Sequence, residues 1–504
     1  MFAARVAMAF ASSRPSSTPV LLGFCILSFV IGLTWTAFSS VPAVSARLFP
    51  SLESAAAVAW TLNANNLAQL LTAPYALWLL ASPPSGSTGL RKTMLLASAA
   101  LLAQSGLWAG ATLDASSRWA FAALLVGGVA GGSASAFTQG CVSHLSAAWF
   151  PAEARGFATA VACASQYSGQ ALAFLAALPI CAASELSVML QIEAGIALLL
   201  LMLVAAYFPD GPPRPLADEV PALGTTSDPL SEPLCSPSHR AADTGVSAWR
   251  TLNARQWVSC LLLGLSTAWL NGFFSAWATT LPLSLRHDGV HAHAHAPAVA
   301  AATAADGCEH AAAHEGALLA FAAGVAYPVG GALAGWVADR YFVRRLRTLL
   351  LLCLLVASLS YIAMLACRPP AWLAGHGVLG SDRALLAVLA PSVIVAGVAI
   401  GGTMPVAFEL LAEISHPLPP GSSANAVVGL LQITATINTA LAAALSPADM
   451  NVVMLSSMLP CACLLWFTHE RYGREEQLRV GVMRTAAGGG QQDGDDTQCD
   501  RRRA

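Results

Sequence analysis

Apolar residues along the chain gather into twelve long stretches, six on each side of a polar segment near its middle. Each stretch holds roughly 20 residues or more, the length that an α-helix needs to cross the ~30 Å hydrocarbon core of a bilayer. The pattern therefore predicts an all-α membrane protein with twelve transmembrane helices. Their predicted ranges are 19–41, 55–81, 93–113, 119–147, 156–182, 186–208, 255–285, 315–338, 346–366, 384–412, 423–446 and 450–468.

The polar segments divide the chain into five parts. Two six-helix bundles are predicted over residues 19–208 and 255–468. Residues 209–254 are rich in proline, serine, aspartate and alanine and lack apolar periodicity, which is typical of a flexible connector. Residues 1–18 form a short predicted tail, and residues 469–504, with their runs of glycine, glutamine and aspartate, form a second tail that we expect to be disordered.

Composition agrees with a membrane protein. Charged residues make up 10% of the chain, against about 25% in soluble domains, and hydrophobic residues make up 56%. The sequence contains no His-Glu-x-x-His, no Gly-x-Ser-x-Gly and no phosphate-binding glycine loop, so we do not predict an enzyme. The predicted partners are the lipid bilayer and a small-molecule substrate, with no nucleic acid and no cofactor, and the chain is predicted to be a monomer.

The distribution of cations predicts the orientation. Twenty arginine and lysine residues fall on the side that carries both termini, and five fall in the opposite loops. The positive-inside bias then places both termini in the cytoplasm, and an even number of spans also requires the termini to share a side. We expect the plasma membrane. An organellar membrane stays open, because residues 1–18 hold arginines and serines but no acid, loosely like a transit peptide.

Histidines concentrate in one predicted loop, residues 286–314. Such tracts can bind zinc or copper. Here alanines interleave with the histidines and supply no fixed scaffold. We therefore interpret the tract as a low-complexity sequence rather than a metal-binding segment, and no metal site is predicted. The six histidines are His287, His291, His293, His295, His310 and His314.

The sharpest motif follows the eighth predicted helix, where residues 330–345 read GGALAGWVADRYFVRR. It resembles the signature loop of the major facilitator superfamily. Gly331 and Gly335 lie four residues apart, a spacing that lets helices approach closely in lipid. Asp339 and Arg340 are predicted to join a charge cluster that holds one conformation closed at the cytoplasmic face.

A weaker copy of this motif occupies the matching position after the second predicted helix. It keeps Gly89, Arg91 and Lys92 but lacks the acid. One strong and one degenerate copy indicate a six-plus-six duplication. Glu409 and Glu413, one turn apart near the cytoplasmic end of the tenth predicted helix, are predicted to belong to the same gate.

Two further segments carry a narrower resemblance. Residues 143–155 read SHLSAAWFPAEAR, and residues 405–423 read PVAFELLAEISHPLPPGSS. Both are similar to the feline leukaemia virus subgroup C receptor-related transporters, solute carrier family 49. The resemblance implies alternating-access transport of a choline- or ethanolamine-like organic cation. Alternatives are a haem, porphyrin or pyridoxine-like vitamin transporter, or a receptor or sensor of the same fold that does not transport.

The choline-type site of that family is an aromatic cage with glutamines. The resemblance implies that matching positions of this chain form the same site. The tryptophan of helix 1 falls on Trp35, and the glutamine of helix 11 falls on Gln432. The glutamine of helix 5 aligns with Tyr167, with Gln166 adjacent, and the tyrosine of helix 7 aligns with Ser275. We expect this site in a midplane cavity lined by helices 1, 2, 5, 7, 8, 10 and 11.

The residues themselves leave some of these roles open. Trp35 either packs or offers its face to a cation, and tryptophan is the best aromatic partner for one. Asn271 and Phe274 are candidates to replace the missing tyrosine of helix 7. An amide patch in helix 2 must be paired or face a wet cavity, and Glu193 in helix 6 is either interfacial or a site of proton coupling. The amide patch consists of Asn63, Asn65, Asn66 and Gln69.

Overall fold

The structure is a computed structural model. It describes residues 17–52, 55–81, 89–150, 152–209, 252–278, 309–342, 344–367, 369–370, 382–416, 418 and 420–473. Most of the predicted connector 209–254, of both predicted tails and of the predicted histidine loop therefore lies outside the described residues.

Twelve long helices confirm the predicted all-α architecture in this part of the chain. Ten of them are long and apolar enough to span a membrane by length and composition. The other two, α2 and α5, carry amide side chains that lower their hydropathy. The helices are α1 Ser17–Trp35, α2 Ala55–Ala81, α3 Leu90–Ala111, α4 Arg118–Trp149, α5 Ala152–Ala176, α6 Ala183–Tyr207, α7 Ala254–Ala278, α8 Glu309–Tyr341, α9 Leu346–Cys367, α10 Asp382–Ile414, α11 Pro420–Ala444 and α12 Pro447–Phe467.

The two six-helix halves use the same set of helix pairs. In the first half α1 packs against α5, α2 against α4, and α3 against both α4 and α6. Adding six to each number gives the main pairs of the second half: α7 with α11, α8 with α10, and α9 with α10 and α12. The halves meet along two helix pairs, α5 with α8 and α2 with α11. These two pairs also correspond, because α5 and α8 hold the positions in their halves that α11 and α2 hold in theirs. This is the contact pattern that an internal duplication predicts.

Close glycine contacts occur at corresponding positions in the two halves. A Cβ added at Gly132 of α4 would lie 2.0 Å from the carbonyl oxygen of Asn65 on α2. A Cβ at Gly401 of α10 would lie 2.0 Å from the carbonyl oxygen of Tyr327 on α8. Backbones this close exclude any side chain, as in other tightly packed membrane helices. One turn earlier the pairing recurs, with Gly128 against Thr61 and Gly397 against Ala323.

The close approach of α8 to its partner does not use the predicted glycine pair. A Cβ at Gly330 would lie 2.0 Å from the carbonyl oxygen of Val398, whereas nothing lies within 4 Å of a Cβ at Gly335. A Cβ at Gly331 would lie 3.4 Å from the carbonyl oxygen of Gly401, which is an ordinary van der Waals contact. Each residue turns an α-helix by about 100°, so only one narrow face of α8 meets α10. Gly330 lies at the centre of that face and Gly331 at its edge, whereas the prediction for Gly335 is wrong.

The first predicted helix, 19–41, is broken. Helix α1 ends at Trp35, and Thr36 leaves the helical conformation with φ −105° and ψ 11°. Two short helices follow, Ala37–Ser40 and Pro42–Leu48. Val41 adopts φ −132° and ψ 59°, in keeping with the bias against helix before a proline. Irregular backbone at membrane depth is tolerated where it is buried in protein or lines a cavity.

Helix α8 begins earlier than predicted, at Glu309 rather than at 315. Residues 309–314, assigned by sequence to the histidine loop, are therefore helical, while residues 279–308 lie outside the described part. The predicted end of helix 7 at 285 also falls outside it. Within the described ranges, no group of three or more His, Cys, Asp or Glu residues is arranged to hold a metal ion.

Helices α6 and α7 define what we call the linker face, the side on which α6 ends at Tyr207 and α7 begins at Ala254. On this face the degenerate motif copy has a structural role. Gly89 precedes α3 with φ 72°, a left-handed conformation that glycine adopts at no steric cost. Arg91 then donates from Nη2 to the carbonyl oxygen of Ala205 at 2.8 Å, which ties α3 to α6.

Residues 469–473, assigned by sequence to the tail, cross the linker face of the second half. The carboxylate of Glu470 accepts from the backbone N–H of Arg347 at 2.7 Å, and the Tyr472 hydroxyl accepts from the N–H of Leu346 at 3.2 Å. The same hydroxyl donates to Glu470 Oε1 at 3.0 Å. These residues cap the amino terminus of α9, whose first N–H groups have no partner within the helix.

Candidate functional site

A cavity lies between the two halves, at the level where α1 breaks. Its cavity volume is about 50 Å³. Its walls come from α1, α2, α5, α7, α8 and α11, which are six of the seven helices expected from the sequence. Five aromatic side chains line it: Trp35, Tyr167, Phe174, Phe274 and Tyr327. Its polar side chains are Thr36, Asn66, Gln170, Asn271, Ser275 and Thr439.

Tyr327 stands at the centre of the aromatic group. Its ring centroid lies 4.6 Å from that of Tyr167 on the other half and 5.0 Å from that of Phe274, with which it stacks at an interplanar angle of 22°. Phe274 in turn packs against Trp277 at 5.6 Å. Offset and tilted rings at these separations attract one another beyond the area that they bury. The cavity therefore has a rigid aromatic wall.

A hydrogen-bonded chain fixes the amide on this wall. The Tyr327 hydroxyl donates to Asn271 Oδ1. Asn271 Nδ2 donates to Thr403 Oγ1 at 3.0 Å and to the carbonyl oxygen of Thr267 at 2.8 Å. Helix α10 thus reaches the site through Thr403, behind the cavity wall. Because both ends of the Asn271 amide are engaged, its orientation is set before any ligand arrives.

The crossing of α1 with α5 positions Trp35. A Cβ at Gly32 would lie 2.0 Å from the carbonyl oxygen of Gln166, and a Cβ at Gly169 would lie 1.9 Å from that of Phe29. The two glycines bring the backbones together, and Trp35 follows Gly32 by one turn. Trp35 is 8% exposed, and this exposed part contributes to the cavity.

The structure brings five of the seven predicted binding residues to the cavity: Trp35, Tyr167, Asn271, Phe274 and Ser275. The two glutamines lie elsewhere. Gln166 is buried and donates from Nε2 to Ser135 Oγ at 3.1 Å. Gln432 is buried on α11, two turns before Thr439, and is not part of the cavity lining.

Several lining residues were not among the predicted binding residues, and Tyr327, Gln170 and Thr36 are three of them. Tyr327 interrupts an apolar helix, but one aromatic residue in such a run does not show which face it occupies. Gln170 follows Gln166 by four residues, so the two amides share a helix face. That spacing was the available signal for Gln170. Thr36 became identifiable only through the break in α1.

The electrostatics of the lining are simple. Among the described residues that form the cavity wall, none carries a charged side chain. Amide and hydroxyl groups provide hydrogen bonds, and the five rings provide apolar and quadrupolar surface. Such a wall can hold a neutral organic solute or a weakly hydrated organic cation, because ring faces attract cations without an anionic partner.

The predicted gate residues lie at the linker-face ends of α8 and α10. Arg340 is exposed, and its guanidinium lies 5.9 Å from the ring centroid of Tyr341. Glu409 is exposed, whereas Glu413 is 8% exposed and buried. The side chain of Asp339 lies outside the described part of the structure.

Two corresponding six-helix halves around a polar and aromatic cavity define a multi-pass membrane transporter. Comparison with known proteins gives the same class. Residues 70–443 match the profile of the Major Facilitator Superfamily. Since this match covers well over half of the chain, the protein belongs to that superfamily.

Curated relatives confirm the resemblance to solute carrier family 49. The chain is 27% identical over 441 residues to the "Solute carrier family 49 member 4 homolog" of Xenopus laevis, covering 82% of each protein. It is also 27% identical over 437 residues to the homolog of Xenopus tropicalis, covering 82% of this chain and 81% of the relative.

Solved structures share the fold at low sequence identity. The inward-open xylose transporter XylE from E. coli matches with a TM-score of 0.56 at 16% identity, over 91% of this chain and 97% of XylE. The nucleoside transporter NupG matches with a TM-score of 0.53 at 13% identity, over 90% of this chain and 100% of NupG. At these identities the likeness establishes the fold and not the substrate.

Proposed function

We propose that the protein transports a choline- or ethanolamine-like organic cation by alternating access. The observation that carries this proposal is the cavity between the halves, with five aromatic rings and no charged residue in its described lining. A substrate held between the halves is what alternating access requires, because the halves can then rock around it.

The chemistry of the wall suits a small ammonium compound. Cation-π attraction reaches about 2 kcal/mol or more per ring when the site is desolvated. Trp35 and the ring group around Tyr327 approach the cavity from different helices, which allows contact with several methyl groups at once. The amides of Asn66, Gln170 and Asn271 are placed to bond a hydroxyl group.

A pyridoxine-like vitamin is the second candidate. The stacked pair of Phe274 and Tyr327 presents a flat aromatic surface, and the amides match the hydroxyl groups of such a ring. Haem is disfavoured, because its two propionates need cations and the described lining contains none. A receptor or sensor of the same fold is separated from a carrier by measuring flux.

The gate proposal rests on the charged residues near the linker face. Asp339 and Arg340 on α8, with Glu409 and Glu413 on α10, are proposed to hold that face closed in one state. Replacing Asp339 by Asn should shift the population toward states open at that face by at most about 1–3 kcal/mol. Labelling of a cysteine introduced near Arg340 reports this shift, and unchanged labelling contradicts the gate.

The orientation follows from the cation distribution. We propose that the linker face and both termini are cytoplasmic, that the membrane is the plasma membrane and that the protein acts as a monomer. Epitope tags at each terminus should be detected only after cells are permeabilised. Detection of either tag on intact cells contradicts this orientation.

The decisive test of substrate class is uptake into proteoliposomes. Radiolabelled choline should enter vesicles that contain the protein, and unlabelled choline and ethanolamine should compete with it. Stronger competition by pyridoxine, together with saturable pyridoxine uptake, would favour the second candidate. Absence of flux for every solute, with correctly inserted protein, would favour a receptor or sensor.

A further inference from the structure

Three glutamines form a continuous ladder across the first half. Gln69 on α2 donates from Nε2 to Gln139 Oε1 on α4 at 2.7 Å. Gln139 donates from Nε2 to Gln166 Oε1 on α5 at 3.2 Å. Gln166 donates from Nε2 to Ser135 Oγ at 3.1 Å. Every bond of this amide ladder, which we define as Gln69, Gln139, Gln166 and Ser135, runs in the same direction.

The ladder lies directly beneath the cavity on two helices. On α2, Leu62 and Asn66 line the cavity, and Gln69 continues their face at the next turn. On α5, Gln170 lines the cavity, and Gln166 precedes it by one turn on the same face. At 1.5 Å per residue, both glutamines lie about 5 Å further toward the linker face. The ladder therefore lies one helical turn from the cavity lining, on the linker-face side.

The first member of the ladder has an unused acceptor. Gln69 is 1% exposed, and its Oε1 has no hydrogen-bond partner among the described residues. A buried acceptor without a donor is destabilising, and most buried polar atoms in proteins avoid that state. Hydrogen bonds arranged head to tail also polarise one another. Because Gln69 already donates to Gln139, its own oxygen is a stronger acceptor than that of an isolated amide.

We infer that Gln69 Oε1 forms a second, deeper subsite that accepts a hydrogen bond from an N–H or O–H group of the transported solute. This inference rests on the proposed function and adds a selection rule to it. The aromatic cavity selects for the organic cation or ring, whereas the ladder selects for a donor on the same molecule. Gln139 is only partly buried, so the ladder adjoins accessible space and is not sealed within the bundle.

Three solutes that differ in donors test the subsite. Ethanolamine carries ammonium N–H groups and a hydroxyl, choline carries only the hydroxyl, and the methyl ether of choline carries no donor. Replacing Gln69 by Leu removes the acceptor at similar volume. The apparent KM for uptake into proteoliposomes should rise about tenfold for ethanolamine and choline, the usual effect of losing one such bond. The KM for the methyl ether should stay unchanged.

Two further variants separate the subsite from a general structural effect. A neutral glutamic acid at position 69 can donate its O–H to Gln139 and keep a carbonyl acceptor, so Gln69→Glu should retain the preference for donors. Gln104 is another buried glutamine of the first half, on α3 and outside the ladder. Gln104→Leu should leave the ratio of the three KM values as in the wild type.

The outcomes distinguish this inference from the proposed function. An equal KM change for all three solutes in Gln69→Leu, or no change for any, overturns the subsite while transport of organic cations stands. Failure of the wild-type protein to transport any of the three overturns the proposed substrate class. In that case the same variants are compared on pyridoxine and its fully O-methylated form, where unchanged discrimination in Gln69→Leu overturns the subsite.

Discussion

Tyr167 and Tyr327 come from opposite halves of the protein, and their ring centroids lie 4.6 Å apart. The contact joins α5 to α8, one of the two helix pairs along which the halves meet. Any motion that separates the halves at this level must break it. The same two rings also line the cavity, so the contact that holds the halves together is part of the wall that a substrate touches.

The hydroxyl of Tyr327 should matter for substrate affinity. Replacing Tyr327 by Phe keeps the ring contacts with Tyr167 and Phe274 but leaves Asn271 Oδ1 without its donor. The binding free energy of the substrate should weaken by about 0.5–1.5 kcal/mol, which raises the apparent KM for uptake roughly 2- to 12-fold. Tyr361→Phe is the matched control, because the Tyr361 hydroxyl is buried without a partner in the described structure. An equal effect of both substitutions contradicts a role for the Asn271 bond.

The face of Trp35 should discriminate between cations and neutral solutes. Trp35→Ala removes a cation-π partner and should raise the apparent KM for choline, whereas Trp35→Phe should keep part of the attraction. Uptake of a neutral aromatic solute should change less in both variants. Trp60, which is 57% exposed on α2, provides the control substitution Trp60→Ala. If Trp35→Ala raises the apparent KM for choline and for the neutral solute equally, Trp35 contributes packing and not cation recognition.

The sequence predicted the helices well because a span of about 20 apolar residues is needed to cross a bilayer. It could not predict the break after Trp35, since residues 33–40 remain compatible with a helix and the Thr36 hydroxyl finds its partner, the carbonyl oxygen of Gln170, on α5. Tyr327 was missed for a similar reason, because its role depends on Tyr167 in the other half. Periodicity along one helix reports which residues share a face and not which helix that face meets.

The crossing of α1 and α5 should tolerate no side chain at its glycines. Gly32→Ala and Gly169→Ala place a Cβ about 2 Å from a backbone oxygen, so the helices must move apart. Overpacking of this kind costs about 1–3 kcal/mol or more, and the thermal unfolding temperature in detergent should fall. Gly195→Ala on α6 is the control, because nothing lies within 4 Å of a Cβ there. A similar unfolding temperature for all three variants contradicts the close crossing.

The cap on α9 should stabilise the second half in a pH-dependent way. Glu470→Ala removes the acceptor for the Arg347 N–H, at a cost of about 0.5–2 kcal/mol, as for other helix caps. Burial raises the pKa of Tyr472 well above its usual value, because the neutral hydroxyl is the form that fits between Leu346 and Glu470. A raised folded-state pKa means that this stabilisation is complete below about pH 10 and is lost as the pH rises further.

Thermal unfolding of the purified protein between pH 7 and pH 11 measures both effects of the cap. The wild-type protein should lose stability above about pH 10 more steeply than Tyr472→Phe, which has no proton to lose at that position. Glu470→Ala should be less stable than the wild type already at pH 7. Tyr341→Phe is a suitable control, because Tyr341 is an exposed tyrosine on the same face, 64% accessible. If Tyr472→Phe and the wild type lose stability in parallel as the pH rises, the Tyr472 hydroxyl does not contribute to the cap.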